Sequence, residues 1–367
     1  MTERFATARA PLLTLLLSVA LAAPSVCVPA AQAAATPAKP RAAGPAAPAP
    51  RPAGPLSLWS AEQLAEPKDP AQAKAERAMR HLPQPDANAP ARTAPVESAP
   101  RLPDAWRGII RRVQLPAGDK RVALTFDLCE RAATVAGYDA RLVDALRAAN
   151  AKATFFAGGK WMRSHPERTL QLLADRRFEF GSHSWSHANM EVAPAEFRQR
   201  QLDWTAAQYE LLEQELDRRL TAKGMPPMGR GPMRLFRLPF GRGGAEVARL
   251  LNHNGLAVIQ WDVVGEGGHG NAQARAQAIA DAVRPGSIVL LHANAVPKDT
   301  AEVLRRLLPL LARKGYATAT VSELLATGHA QTVPEGFFSF PGDNAIYDDM
   351  FAAWGTGERL KPSPKHP

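Results

Sequence analysis

The chain has 367 residues, 46% of them hydrophobic, and carries 45 Lys and Arg against 35 Asp and Glu, a formal net charge of +10. That is enough apolar material for one sizeable core and, on length alone, for two domains. A basic balance favours anionic surroundings, but the sequence has no RNA-binding signature, zinc finger or basic helical stripe, so nucleic acid is not an expected partner.

In chain order, Arg4 and Arg9 precede an apolar run over residues 11–23, and Ala31-Gln32-Ala33 offers small residues at a cleavage position. Residues 1–33 therefore read as an export signal. The run is shorter than the about 20 residues that span a bilayer, so no stable membrane span is expected after cleavage. The expected location is the periplasm or the extracellular space, with membrane tethering if the signal stays uncleaved. Cleavage after Ala33 leaves Cys129 as the one cysteine, with no partner for an intramolecular disulfide. Residues 34–104 read as an Ala/Pro-rich linker, a disordered arm with one short helix over 71–81. Between Ala34 and Pro103 lie 15 of the 33 prolines, each of which fixes φ and removes a donor. Half of the charge excess lies between Ala34 and Lys120, which makes the basic balance a property of the arm more than of the region beyond it. Such an arm suits an envelope partner.

Over residues 105–330 short apolar runs alternate with helical patterns. Strands are expected at 122–127, 153–159, 178–184, 235–241, 256–263, 287–294 and 317–321. Helices are expected at 139–149, 166–174, 194–220, 245–254, 272–283 and 300–314. Strand–helix alternation implies parallel strands with helices outside, and about seven units favour closure into a barrel over an open doubly wound sheet. The tail, 331–367, contains Phe337, Phe338, Phe340, Tyr347, Phe351 and Trp354 without a period. Its first part is expected to pack on the domain and 361–367 to be disordered.

In a parallel barrel, function collects at the C-terminal strand ends. Here they read Thr125-Phe126-Asp127-Leu128-Cys129-Glu130, Gly181-Ser182-His183-Ser184-Trp185-Ser186-His187, Arg237-Leu238-Pro239-Phe240-Gly241, Trp261-Asp262 and Leu290-Leu291-His292. Five strands thus bring titratable groups to one rim. His183 and His187, four apart, point the same way on a helical turn and suit a borderline divalent metal, zinc first, with cobalt or nickel as alternatives. Asp127 at a strand mouth can deprotonate a water, Arg237 can pair with Asp127 to fix it, and His292 can protonate a leaving amine. Cys129 has no evident base and reads as a buried structural cysteine. Trp185, inside the His pair, is the best candidate for a stacking contact with a substrate. The Gly265–Gly270 stretch lacks the residues of a phosphate loop.

Thr125-Phe126-Asp127, His183-Ser184-x-x-His187, Arg237-x-Pro239-Phe240 and Leu290-x-His292 together resemble the ordered motifs of polysaccharide deacetylases with the NodB homology domain, carbohydrate esterase family 4. The resemblance covers about 200 residues, from Arg121 to about Leu325. It implies an α/β fold, a distorted (β/α)7-type barrel, that removes N-acetyl groups from an amino-sugar polysaccharide. Peptidoglycan, poly-N-acetylglucosamine or a chitin-like polymer would be the substrate. It implies Asp127 as general base, His183 and His187 as metal ligands, Arg237 as the group orienting the base, and His292 as general acid. Phe240 would lend a backbone N–H to the oxyanion. Phe240, Trp185 and Trp261 are the expected substrate contacts. Two departures stand out. The family's third ligand, a second aspartate, is here Leu128, with Glu130 as the nearest substitute. The fourth motif keeps Trp261 but shifts its acids, leaving Asp262 and Glu266 to tune the acid histidine. These departures keep open the reading of a weakly catalytic glycan-binding envelope protein, and because related barrels act on small amides a cyclic-amide hydrolase is a further reading.

Overall fold

The structure, a computed structural model, describes residues 54–267 and 270–351. Twelve strands run in chain order. The first six are β1 (Arg80–His81), β2 (Ile109–Gln114), β3 (Arg121–Leu128), β4 (Thr134–Val135), β5 (Ala153–Ala157) and β6 (Phe178–Ser182). The rest are β7 (Leu235–Phe236), β8 (Ala257–Ile259), β9 (Val263–Val264), β10 (Ile288–His292), β11 (Ala317–Ala319) and β12 (His329–Val333).

Ten of them form one sheet in the order β12-β2-β8-β7-β6-β5-β3-β10-β9, with β11 alongside the start of β3. Every pairing is parallel except β12 with β2. The sheet curls until the start of β10, the eighth strand in that order, meets β2, the second. Arg112 of β2 bridges to Ser287, and the Val113 N–H donates to the Gly286 carbonyl at 3.0 Å. Seven strands from β2 to β10 therefore close a distorted (β/α)7-type barrel, as the strand–helix alternation predicts.

Strand β3 shows why the chain folds this way. It is apolar almost throughout, the pattern of a strand buried on both faces. Val122, Leu124, Phe126 and Leu128 pack outward with Leu142, Leu146, Leu304 and Leu307 of the helix layer. Ala123 turns inward beside Ile110, Phe156, Leu235, Ile259 and Trp261. The period of two thus separates an outer core from a barrel interior, and it sends Asp127 inward.

Three expectations need correction. The predicted strand over 235–241 ends at Phe236, because Pro239 has no N–H for a ladder and starts a 3-10 turn, Pro239–Gly241. The predicted strand over 256–263 divides into β8 and β9. The domain does not stop at 330. Strand β12 pairs with β2, and Asn344, Tyr347 and Phe351 seat against Phe240.

The described part of the 34–104 arm is a packed strap and not a disordered linker. A helix does form, over Pro70–Glu76. Leu56, Trp59 and Leu64 join the outer core. Proline-rich backbone cannot pair with itself, so arginines of the domain satisfy its carbonyls. Arg168 donates to Gln63 O at 2.8 Å and Ala65 O at 3.1 Å, and Arg163 to Asn88 O at 2.6 Å. Glu210 in turn accepts from Arg92 and from the N–H groups of Val96 and Glu97. The expected signal over 1–33, the arm as far as 53, Trp354 and the 361–367 end lie outside the described residues.

Barrel closure gives a stability test. Gly286 has φ of +78°, and a Cβ there would overlap the Val113 carbonyl oxygen. Gly118, φ +86°, has open space around it. Gly118→Ala is expected to lose about 1–2 kcal/mol, the left-handed backbone penalty alone. Gly286→Ala should lose clearly more, because the seam itself must shift. Urea unfolding of the two variants checks the ranking, and equal losses would refute the proposed seam.

Candidate active site

Four strand ends supply the polar groups. Asp127 lies in the last turn of β3, directly across from His292 at the end of β10. His183 follows β6 and Arg237 follows β7, held level by the Arg237 N–H, which donates to Ser182 O at 2.9 Å. The rim inferred from the sequence is therefore real for these four residues, and His187 joins them from the loop after β6.

Arg237 is fully buried, and each face of its guanidinium is accounted for. Nη1 donates to Asp127 Oδ1 at 2.8 Å, Nη2 to Gln260 O at 3.2 Å and Nε to Ile259 O at 3.3 Å. The cation lies 4.1 Å from the Phe156 ring centroid and 5.4 Å from that of Trp261. One carboxylate oxygen of Asp127 is thus fixed, and the other, Oδ2, faces His183 Nε2 at 3.6 Å.

The His183–His187 segment is not helical. Ser184 and His187 both have positive φ, 63° and 58°. Such residues cost about 1–2 kcal/mol each and cluster where function demands a special geometry. The loop is tied down by Gly159 N–H to Ser184 O, Lys160 N–H to Trp185 O and Ser186 N–H to Gln201 Oε1. The two imidazoles end 4.8 Å apart between ring centroids, at 73°. His183 Nδ1 faces the Arg237 carbonyl at 2.9 Å, which sets the tautomer and leaves Nε2 as a lone pair. His183 Nε2 and His187 Nδ1 are buried with no hydrogen-bond partner. Orphaned nitrogens beside a carboxylate are what a divalent cation site requires, so the residues fit the metal that the sequence implies.

His292 is gripped by Glu266. The carboxylate accepts from the His292 backbone N–H at 2.6 Å, lies 2.5 Å from Nδ1, and takes Thr300 Oγ1 at 2.9 Å. Burial pushes the imidazole down, but the Glu266 charge and the hydrogen bonds that the ring gives to Cys129 and Glu266 more than reverse this, holding His292 well above the usual histidine value. Asp262, the other acid weighed for this role, instead caps Ser287 Oγ and the Ile288 N–H at 2.8 Å each.

Several expected roles do not hold. Glu130 does not reach the imidazoles. Its Oε1 binds Lys160 Nζ at 2.8 Å and Ser164 Oγ at 2.6 Å, and its Oε2 accepts the Ala136 N–H at 2.9 Å. Lys160 is fully buried, and stripping a buried charge of its partner costs about 3–5 kcal/mol. Trp185 is not a sugar platform, because it is buried between Gly159, Trp204 and Arg163. Trp261 is a wall behind Arg237, its Nε1 donating to Phe338 O at 2.9 Å. Phe240 does border the site. It stands at φ +59°, with its ring 4.4 Å from His187 and backed by Tyr347 and Phe351.

The sequence reading missed Cys129. Its Sγ and the ligand atoms of His183 and His187 lie within 4.8 Å of one another, and the same holds for Cys129, Asp127 and His292. Burial pushes the thiol up, but the charges of His187 and His183 outweigh it and hold the thiol well below its usual value. Alternation was the signal available. If Leu128 faces the helix layer, residues 127 and 129 share the interior face.

Comparison with known proteins finds similarity over part of the chain. Residues 114–259 match the family model for polysaccharide deacetylase. A chitooligosaccharide deacetylase of Azorhizobium caulinodans is 28% identical over 185 residues, 47% of this chain and 80% of that protein. A peptidoglycan-N-acetylglucosamine deacetylase of Listeria monocytogenes is 30% identical over 207 residues, 56% of this chain but 39% of that protein. Among solved structures, a T48 deacetylase with substrate is 26% identical, with 59% of this chain and 96% of that chain covered at a TM-score of 0.47.

The grip of Glu266 on His292 predicts a pH-dependent stability. A folded-state value raised above the unfolded one, about 6.5, gives stability that is complete below that pH and lost as pH rises through the folded value. The gap in melting temperature between the wild type and Glu266→Gln is therefore expected to be widest at mildly acidic pH, below about 6.5, and to narrow as pH rises through the raised His292 value. A gap that does not change with pH would contradict the ion pair.

Proposed function

We propose, from the match of residues 114–259 to the polysaccharide deacetylase family model, that the chain is an exported, metal-dependent hydrolase of N-acetyl groups on an amino-sugar polymer. Peptidoglycan, poly-N-acetylglucosamine and chitin-like chains share the acetamide it would act on. The observation that carries the reading is the buried, unpartnered Nε2 of His183 facing an Asp127 carboxylate already fixed by Arg237. Among the described residues no helix is long and apolar enough to cross a membrane.

His183 and His187 would hold the cation. When bound, such a cation supplies Lewis acidity and a water acidified toward neutral pH. Zinc fits two imidazoles best, and cobalt or nickel would also be accepted. The remaining work falls to the chain. Asp127 Oδ2 accepts a proton from the attacking water while Arg237 keeps Oδ1 in place, so the carboxylate cannot rotate away. The water oxygen adds to the acetamide carbon, and the negative oxygen that forms takes the Phe240 backbone N–H. His292, kept protonated by Glu266, gives its proton to the nitrogen as the C–N bond breaks. Acetate and a free amine leave, and Asp127 returns its proton to solvent as His292 regains one.

Leu128 favours a second reading, because a carboxylate ligand is missing where the resemblance expects one. In that reading the protein binds glycan with little turnover. Acetate release from acetylated chito-oligomers, with zinc or cobalt added, separates the two. Silence across metals and substrates with binding intact would leave only the second.

Two variants test the division of labour. Asp127→Asn is expected to keep most of the ion and to lose about 10²–10⁴-fold in kcat, the range of a general base. His183→Ala is expected to lose both ion and activity. Metal analysis beside acetate release checks both. A wild type that turns over normally without metal would sink the mechanism.

A further inference from the structure

We propose that Cys129 is the third protein ligand of the cation site, so that this chain holds its metal by two imidazoles and a thiolate. The inference rests on the reading of the site as a metal centre of a deacetylase.

Cys129 is the one residue common to both groups of converging ligand atoms, the one with His183 and His187 and the one with Asp127 and His292. A cysteine near histidines is not yet a metal site. The independent sign is His183, which is only 1% exposed, has its Nδ1 committed to the Arg237 carbonyl, and leaves Nε2 without any partner. That bare nitrogen belongs to the same cluster as the sulfur.

The alternatives for a third ligand are spent. Leu128 is apolar and packs in the outer core. Glu130 is bound to Lys160, Ser164 and the Ala136 N–H. One oxygen of Asp127 is bound to Arg237, and the mechanism needs the other free to accept a proton.

Cys129 is also rigidly placed. Leu128 O accepts the Gly158 N–H at 3.1 Å, and Cys129 O accepts Asn294 Nδ2 at 3.1 Å. With Glu130 anchored on the far side, the backbone on both flanks of the sulfur is fixed. Loss of the aspartate at 128 is thus answered one residue later, on the inward phase of the same strand. The exchange has a chemical consequence. A thiolate is softer than a carboxylate and gives more charge to the ion, which favours zinc and cobalt over magnesium and manganese.

Cobalt reads the sulfur directly, since a thiolate–Co(II) bond adds an intense near-ultraviolet charge-transfer band that imidazole and carboxylate ligands do not give. The full chain, stripped by chelation and titrated with Co(II), is expected to develop this band. Cys129→Ser and Cys129→Asp should lose it. Cys129→Ser should also weaken Zn(II) binding by more than the about 10–100-fold that loss of an outer partner costs. Bound zinc should shield Cys129 from iodoacetamide. If the serine variant does not fold, the aspartate variant supplies a ligand of the usual family type and carries the comparison. Three results would overturn the proposal. These are Co(II) binding without the band, unchanged Zn(II) affinity in Cys129→Ser, and turnover of metal-free protein with an acetyl group trapped on Cys129, which would make the thiol a nucleophile. A band without acetate release supports the ligand and refutes only the deacetylase reading. Acetate release with bound cobalt and no band does the reverse.

Discussion

The contact between Arg237 and Asp127 governs the rest of the molecule's mouth. β3 and β7 are not neighbours in the sheet, so a 2.8 Å ion pair between their ends spans the barrel interior. The same guanidinium ties down two carbonyls at the end of β8. An unpaired buried charge costs several kcal/mol, so neither partner can leave without unsettling the other. Three strand ends are thereby locked at one height, and His183 is locked with them, because its ring leans on the Arg237 carbonyl. Orientation of the carboxylate and orientation of the first imidazole are consequences of one arginine.

Much of this was legible beforehand, and for physical reasons. Strand–helix alternation over 105–330 fixed the layers, since parallel strands need covering helices. A polar residue ending an apolar strand has only the rim to go to, and Asp127, His183, Arg237 and His292 all went there. What could not be read was decided by partners distant in sequence. Glu130 looked available until Lys160, from the helix Gly159–Ser164, was seen to hold it. Trp185 and Trp261 looked like platforms because aromatic residues in motifs suggest sugars, but Gly159 and Arg237 needed them as walls. The motif around Asp127 carries no sign of Cys129; only the phase of the strand places residues 127 and 129 on one face.

Composition also misled in an instructive way. Fifteen prolines in seventy residues break up regular structure into short pieces, yet they do not forbid order. From residue 54 the strap lies against the barrel with side chains in the core, and its carbonyls are met by arginines of the domain. Some of the basic excess that suggested an anionic partner is therefore spent inside the molecule. The long helix Ala195–Thr221 contributes an acid to the same end through Glu210.

The turn that carries Phe240 is held in a left-handed conformation that a phenylalanine adopts only under compulsion. The compulsion comes from Asn344, Tyr347 and Phe351, about a hundred positions later. A ribosome that has released every strand of the barrel has still not made the residues that press this turn into shape. The mouth of the barrel is thus completed by the last residues that the structure describes, after all seven barrel strands have been made.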